Sequence, residues 1–280
     1  MNICVIGSTS FIGKNLVKFL LEKNIKIFQI NRKKFYNKKA FKKILAYSHC
    51  IINCIGSGQV HNINKDSHLK NNFYTTKYLI QNIKELKKKN LHLVFLSSQA
   101  VYKKKNKNSI NERDLTVPMN DYGRSKLMSE KLLKKLKLKK ITILRLFSIY
   151  GVGLKKQIIW DACNKISMNN GNFGGSGNQV RDFLNVDDLS KLIIKIIYSK
   201  KNYNFKVFNV GSGKGRKIKS IINIIKKNLN PKLKINYEKQ NVQDINFIAN
   251  IEKLKKYFNW KPKSNFFEEL SKFIFWFKRN

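Results

Sequence analysis

The sequence predicts an α/β fold: a doubly wound parallel sheet with a smaller C-terminal lobe interwoven with it. Three observations lead there. The chain opens on a short apolar run, Asn2-Ile3-Cys4-Val5-Ile6, which stops at the glycine-bracketed turn Gly7-Ser8-Thr9-Ser10-Phe11-Ile12-Gly13; such a run reads as a buried parallel strand. Strand-like runs then alternate with helical stretches from residue 1 to about 150, the pattern of βαβ units. Beyond Gly151 the composition shifts to a Gly/Asn-rich loop, Asn169 to Asn178, after which Val207 to Val210 reads as a strand that rejoins the first sheet.

After Gly13, Leu16, Val17, Phe19, Leu20 and Leu21 recur at helical spacing. A strand, a tight glycine turn and a helix N-terminus form a cradle for a pyrophosphate, because free backbone N–H groups and the positive end of the helix dipole face the anion. Small residues let the phosphates approach the backbone. Ser10 stands where a third glycine would complete the pattern. Serine fits there if its backbone angle is ordinary, and its hydroxyl is a candidate to bond a phosphate. The second strand, Ile25 to Ile30, runs into Asn31-Arg32-Lys33-Lys34. An acid at this place usually bonds the ribose 2′-hydroxyl of NAD. None is present, and Arg32 suits a dianionic 2′-phosphate, so the sequence favours NADP(H), with NAD(H) as the alternative.

Leu91 to Leu96 is a further buried strand and delivers Ser97 and Ser98 at its C-terminal end, where ligands sit in an open α/β sheet. Tyr122 and Lys126 are four apart and on a helix project from one face. A free phenol titrates near ~10, and a neighbouring ammonium favours its ionised form. Tyr122 is therefore a candidate to protonate a carbonyl oxygen or to deprotonate an alcohol, with Ser98 hydrogen-bonded to the same oxygen. Ile141 to Phe147 is a late strand of the sheet. Phe266 to Phe277 is predicted to be a terminal helix capped by Asn265 and packed on the second lobe.

A chain of 280 residues can bury a sizeable core. Its first strand lies so close to Met1 that no leader is expected, and no run reaches the ~20 apolar residues of a membrane helix; a cytoplasmic protein without a membrane span is expected. Cys4, Cys50, Cys54 and Cys163 lack metal-ligand spacing and read as reduced thiols, so no metal is expected. The formal net charge of +42 is spread along the whole chain, with no aromatic–basic interleaving to stack bases. Lys87-Lys88-Lys89 and Lys103-Lys104-Lys105 read as solvated helix ends and loops, and no specific nucleic-acid partner is expected. The charge helps to capture a diphosphate substrate and a phosphorylated cofactor.

These segments, with Asn72, Ser97-Ser98-Gln99-Ala100-Val101-Tyr102, Pro118, Glu130, Leu144 to Gly151, Arg181 to Leu189, Phe208 to Gly213 and Trp260-Lys261-Pro262 in order, resemble an extended short-chain dehydrogenase/reductase of the NAD-dependent epimerase/dehydratase (nucleotide-sugar) family. The resemblance covers essentially the whole chain. It implies a Rossmann-like NAD(P)-binding domain over residues 1–150, with a returning strand near 207–210, and a nucleotide-sugar lobe over 151–280. It implies catalytic roles for Ser98, Tyr122 and Lys126, with Lys126 lowering the Tyr122 pKa and bonding the nicotinamide ribose. Cofactor contacts are implied at Gly7, Ser10, Phe11, Ile12, Gly13, Asn31, Arg32, Ile55, Gly56, Tyr122 and Lys126. Substrate contacts are implied at Ser98, Tyr122, Ser148 and at Arg181, which would pair with the substrate diphosphate. Asn72, opening a helix at Asn72-Phe73-Tyr74-Thr75-Thr76, supports the site, and a homodimer through helices packed as four is implied.

The chain departs from the family pattern in places. Ser148 and Val152 replace a usual Asn and Pro, Gln240 to Asp244 carries no Arg, and Phe35 to His49 is short and lacks an adenine-contacting Asp. Gln99-Ala100 stands where sugar dehydratases carry two acids, so dehydratase is the least expected activity. The leading reading is NADPH-dependent reduction of a keto-sugar nucleotide. The alternative is an NAD-dependent nucleotide-sugar 4-epimerase, and a non-catalytic dinucleotide-binding protein is the third.

Overall fold

The strands at the centre of the fold are buried at nearly every position and rich in Ile, Leu and Val, because helices cover both of their faces. The computed structural model describes residues 1–57, 65–103, 109–238 and 246–280. β1 (Ile3–Ile6), α1 (Phe11–Glu22), β2 (Ile27–Ile30), α2 (Arg32–Tyr36), α3 (Lys38–Tyr47) and β3 (Cys50–Asn53) open the chain. α4 (Lys65–His68) passes through a π-helical turn, Leu69–Tyr74, into α5 (Thr75–Glu85), followed by β4 (His92–Ser98), α6 (Asp121–Lys134) and β5 (Lys140–Leu146). Then come β6 (Ser148–Tyr150), α7 (Gln157–Ser167), β7 (Asn172–Gly174), β8 (Val180–Asn185), α8 (Val186–Ile197) and β9 (Phe205–Val210). β10 (Gly215–Lys217), α9 (Ile218–Leu229), β11 (Asn236–Glu238), α10 (Glu252–Phe258) and α11 (Phe266–Phe277) complete it.

Six strands form one parallel sheet in the order β2-β1-β3-β4-β5-β9. Leu16 and Leu20 of α1, Leu189 and Ile196 of α8 and Phe258 of α10 bury one face. Phe41 of α3, Leu79 of α5 and Leu133 of α6 bury the other. This is the Rossmann-like doubly wound sheet expected from the sequence. The chain steps from β1 outward to β2, then returns past β1 to β3. That reversal opens a crevice at the C-terminal ends of β1 and β3, where such sheets hold ligands. A smaller sheet, β10-β8-β6, and the pair β11-β7 stand beside it. There α7, α9 and α11 enclose a separate apolar cluster around Phe173, Phe183 and Phe273. The α11 cap is as expected: the Asn265 side chain accepts the Phe267 N–H.

Several local expectations are corrected. β2 begins at Ile27 rather than Ile25, because α1 ends with Asn24 in the left-handed region (φ 55) and Ile25 N–H bonded back to Leu20 O. Asn72 lies inside the π-helical turn rather than opening a helix. The Asn169–Asn178 stretch contains β7, which pairs with β11 through Phe173 and Tyr237. Residues 35–49 fold into the end of α2 and all of α3 and feed β3 directly, and β2 lies at the sheet edge. All four cysteines are buried and free.

One buried group makes stability depend on pH. His92 Nε2 lies 2.8 Å from Thr142 Oγ1, and burial, with a smaller push from Lys140, lowers its pKa from 6.5 to about 3. Between those values the unfolded chain holds a proton that the fold refuses. The stability from this group is therefore complete above pH 6.5 and is lost as pH falls towards about 3, at up to about 1.4 kcal/mol per pH unit. His92→Gln, which can still bond Thr142, is expected to flatten this part of the slope in urea unfolding measured across the acid range. An unchanged slope would assign the acid sensitivity to other groups.

Candidate active site

The crevice is lined first by the β1–α1 turn. Ser10 has an ordinary extended backbone (φ −71, ψ 163), so serine fits without strain. Its hydroxyl, however, accepts the Gly13 N–H at 3.1 Å and donates to Gly7 O at 2.8 Å. It caps α1 rather than facing a phosphate, which corrects that part of the expectation. A Cβ on Gly13 would lie 2.1 Å from Gly7 O, so only glycine lets α1 start this close to β1. Phe11 and Ile12 pack their side chains against the core. Their N–H groups precede the helical ladder and are the donors that α1 offers an anion. Across the crevice, Ile55 and Gly56 follow β3, with Ile55 N–H held by the Asn53 side chain at 3.0 Å. At the end of β2, Asn31 caps α2 through Lys34 N–H (2.9 Å), and Arg32 is exposed on the first turn of that helix.

The candidate catalytic groups meet at the end of β4. Gln99–Val101 forms a short 3₁₀ turn after Ser98. A Cβ on Gly123 would lie 2.1 Å from Ala100 O, so this glycine allows the N-terminus of α6 to rest on that turn. Tyr122 is thereby brought beside Ser98. Burial pushes the Tyr122 phenol up, and the Ser98 hydroxyl works against that shift. Lys126, one turn further along α6, is buried and donates to Leu96 O at 3.0 Å. Burial brings its pKa down to about 8, opposed by Cys54 and Glu130. The expected lowering of Tyr122 by Lys126 is thus replaced here by burial of both groups, with Ser98 as the group that favours the phenolate.

Asn72 sits behind this pair. Its Nδ2 donates to Ser125 Oγ (3.0 Å) and Ser57 Oγ (3.3 Å), while its buried Oδ1 has no partner. That oxygen and Lys126 Nζ both border Gly56, at 2.4 and 3.0 Å from the position of a Cβ there. Sequence reasoning missed His68: its Nδ1 lies 3.0 Å from Ser57 Oγ, and its ring centroid is 5.7 Å from that of Tyr122. Burial lowers its pKa, and Asp121 opposes this. A lone histidine in a polar stretch carries no sequence signal for such a contact.

The substrate candidates lie on the small sheet. Ser148 opens β6 and pairs with Phe183 of β8, and Arg181 is two residues before Phe183, on the same face. The Arg181 guanidinium packs over Phe247 (5.3 Å) and donates to Val180 O (3.0 Å). Asp182 faces the other way. Its two oxygens accept the Ser212 N–H and Oγ–H (2.6 Å each), Gly213 N–H (2.9 Å) and Ala249 N–H (3.0 Å), which ties β8 to the segments after β9 and before α10. Gln240 to Asp244, and Lys104 and Lys105, lie outside the described residues. Among the described residues no helix is long and apolar enough to cross a membrane.

A sequence model of the NAD dependent epimerase/dehydratase family matches residues 3–211. Curated relatives include UDP-sugar 4-epimerases. One, the UDP-glucuronate 4-epimerase of Thermodesulfobacterium geofontis, is 30% identical over 148 residues, covering 50% of this chain and 44% of that protein. The chain spans less than two thirds of the length of the curated relatives that it matches. Among solved structures, UDP-glucuronic acid 4-epimerase from Bacillus cereus, in complex with UDP-glucuronic acid and NAD, superposes with a TM-score of 0.88 at 23% identity, over 100% of this chain and 99% of that one. RMD from Pseudomonas aeruginosa, complexed with NADPH, gives 0.85 at 21%, over 100% and 99%. At these identities the likeness is one of fold.

Proposed function

Because the chain belongs to the NAD dependent epimerase/dehydratase family, we propose that it is a UDP-sugar 4-epimerase of the short-chain dehydrogenase type. The observation that carries this reading is the meeting of Ser98, Tyr122 and Lys126 beside the Gly7–Gly13 cradle. The UDP-sugar 4-epimerases among the relatives favour it over the reductase, which uses the same three residues. The residues present fit a dinucleotide: the missing Cβ of Gly13, the donors of α1 and the unpartnered Asn72 Oδ1 beside Lys126 all suit a pyrophosphate and a ribose hydroxyl. When bound, NAD would supply the hydride acceptor for the sugar carbon and the donor for its return.

Tyr122 takes the proton of the sugar hydroxyl as the carbonyl forms, and gives it back on the return. Ser98 holds the same oxygen and stabilises the phenolate. Lys126, close to its own titration point, supplies positive charge next to the ribose. Arg181 and Ser148 face the nucleotide side of the substrate. The division into residues 1–150 for the dinucleotide and 151–280 for the sugar nucleotide, and a homodimer through packed helices, belong to the same proposal.

One observation favours the NADPH-dependent reductase as a second reading. The end of β2 has no acid, and Arg32 is exposed there. The test is direct. Purified protein is denatured and the released nucleotide identified, and UDP-glucose, UDP-glucuronic acid and UDP-arabinose are assayed with no cofactor added. Interconversion at C4 with NAD released is the expected result. Turnover that consumes NADPH would install the reductase instead.

A further inference from the structure

The small sheet carries a charged group, besides Arg181, that this mechanism does not use. Arg216 of β10 lies directly opposite Arg181 of β8 in an antiparallel pair. Side chains opposite one another in such a pair share a face, with Cβ atoms ~4.5–5.5 Å apart, and like charges so placed repel. The face is also that of Ser148, through the pairing of Ser148 with Phe183.

Arg216 is held in place by aromatic rings rather than by an acid. Its guanidinium lies 4.2 Å from the ring centroid of Phe266 and 5.0 Å from that of Phe267. Its Nε is buried without a hydrogen-bond partner, and among the described residues Arg216 forms no ion pair. The carboxylate it senses, Asp182, already accepts from Ser212, Gly213 and Ala249. Burial accordingly pulls the Arg216 pKa down. A partly buried guanidinium without an anion is costly. An anion bridging the two arginines would remove the repulsion and satisfy the orphan donor together.

We propose that Arg216 is a substrate-binding residue that, with Arg181, clamps the diphosphate of the nucleotide sugar across the β10–β8 pair. Planar guanidinium forks match phosphate oxygens bidentately, and two of them side by side suit two linked phosphates. Gln240 to Asp244 carries no arginine for this task, and β10 supplies one. The inference rests on the nucleotide-sugar reading of the site and names a residue that reading did not include.

The test compares UDP with uridine in binding titrations of the wild type, Arg216→Met, Arg216→Lys and Lys217→Met. Lys217 is the next residue, exposed and on the opposite face of β10, so its replacement removes the same charge without touching the clamp. Arg216→Met is expected to weaken UDP binding at least tenfold, leave uridine and NAD binding unchanged, and leave the thermal midpoint equal or higher, since Met packs on Phe266 without an unpaired charge. Arg216→Lys should recover part of the UDP affinity, and Lys217→Met should bind as the wild type does.

Equal UDP binding in Arg216→Met, an equal loss of uridine, or a lowered midpoint with no phosphate-specific loss would overturn the clamp, as would a wild type with no affinity for UDP. Failure of the epimerase reading looks different: the phosphate-specific loss would remain, but no UDP-sugar would be interconverted.

Discussion

Tyr122→Phe is expected to lower UDP-sugar turnover by about 10²–10⁴-fold, the usual worth of a positioned proton-transfer group, with fold and cofactor binding kept. The substitution deletes one oxygen and leaves the ring beside His68. The loss should fall on kcat rather than KM, because that oxygen matters most as the proton moves. The pH dependence follows from two groups. Burial pushes the Tyr122 phenol up, so the reactive phenolate becomes commoner as pH rises. Lys126, with its pKa brought down to about 8, loses its charge above that point. Oxidation of the sugar hydroxyl should therefore speed up through neutral pH and flatten or fall beyond about 8. Kinetics of both proteins over that range, with bound NAD measured in each, check the claim. A variant that turns over at the wild-type rate would take the proton transfer away from Tyr122.

What could be read in the sequence was local. The strand that stops before Gly7, the helix that runs through Gly13 and the four-residue step from Tyr122 to Lys126 each depend on neighbours in the chain, and periodicity and turn chemistry report such neighbours directly. Register between strands is not local. Nothing in Gly215-Arg216-Lys217 announces that Arg216 faces Arg181, and a chain with 58 Lys and Arg hides one significant cation among many. The same excess weakens any cofactor argument from Arg32. The state of Tyr122 was misread for a related reason. Spacing places an ammonium on the same helix face, but only packing reveals that the ammonium turns to Leu96 O and that burial governs both groups. Reductase and epimerase could not be separated by residues, since one set of side chains serves both.

The largest expected effect on stability lies just beneath these residues. Arg145 of β5 grips Glu130 of α6 with Nε at 3.1 Å and Nη2 at 2.7 Å, both side chains being buried. Its Nη1 donates to Tyr102 OH (2.9 Å), which donates to Asn209 Oδ1 of β9 (2.6 Å), and Ser97 Oγ donates to Glu130. Every charged group in this network has partners, which is the condition under which a buried ion pair is tolerated. Arg145→Met removes the cation and strands the carboxylate in the core, at a cost of about 3–5 kcal/mol, a large part of the ~5–15 kcal/mol that holds a typical protein folded. Arg145→Met with Glu130→Gln should recover part of that loss, because no uncompensated charge remains. Urea unfolding of the two single variants and the double variant measures the coupling, and strictly additive losses would mean that the pair does not act as a unit. Activity should suffer even where the fold survives. Glu130 anchors the helix that presents Tyr122 and Lys126, and Ser97 is the neighbour of Ser98. A loosened Glu130 therefore moves three reacting groups at once, and kcat should fall in Arg145→Met at temperatures where the protein is still fully folded.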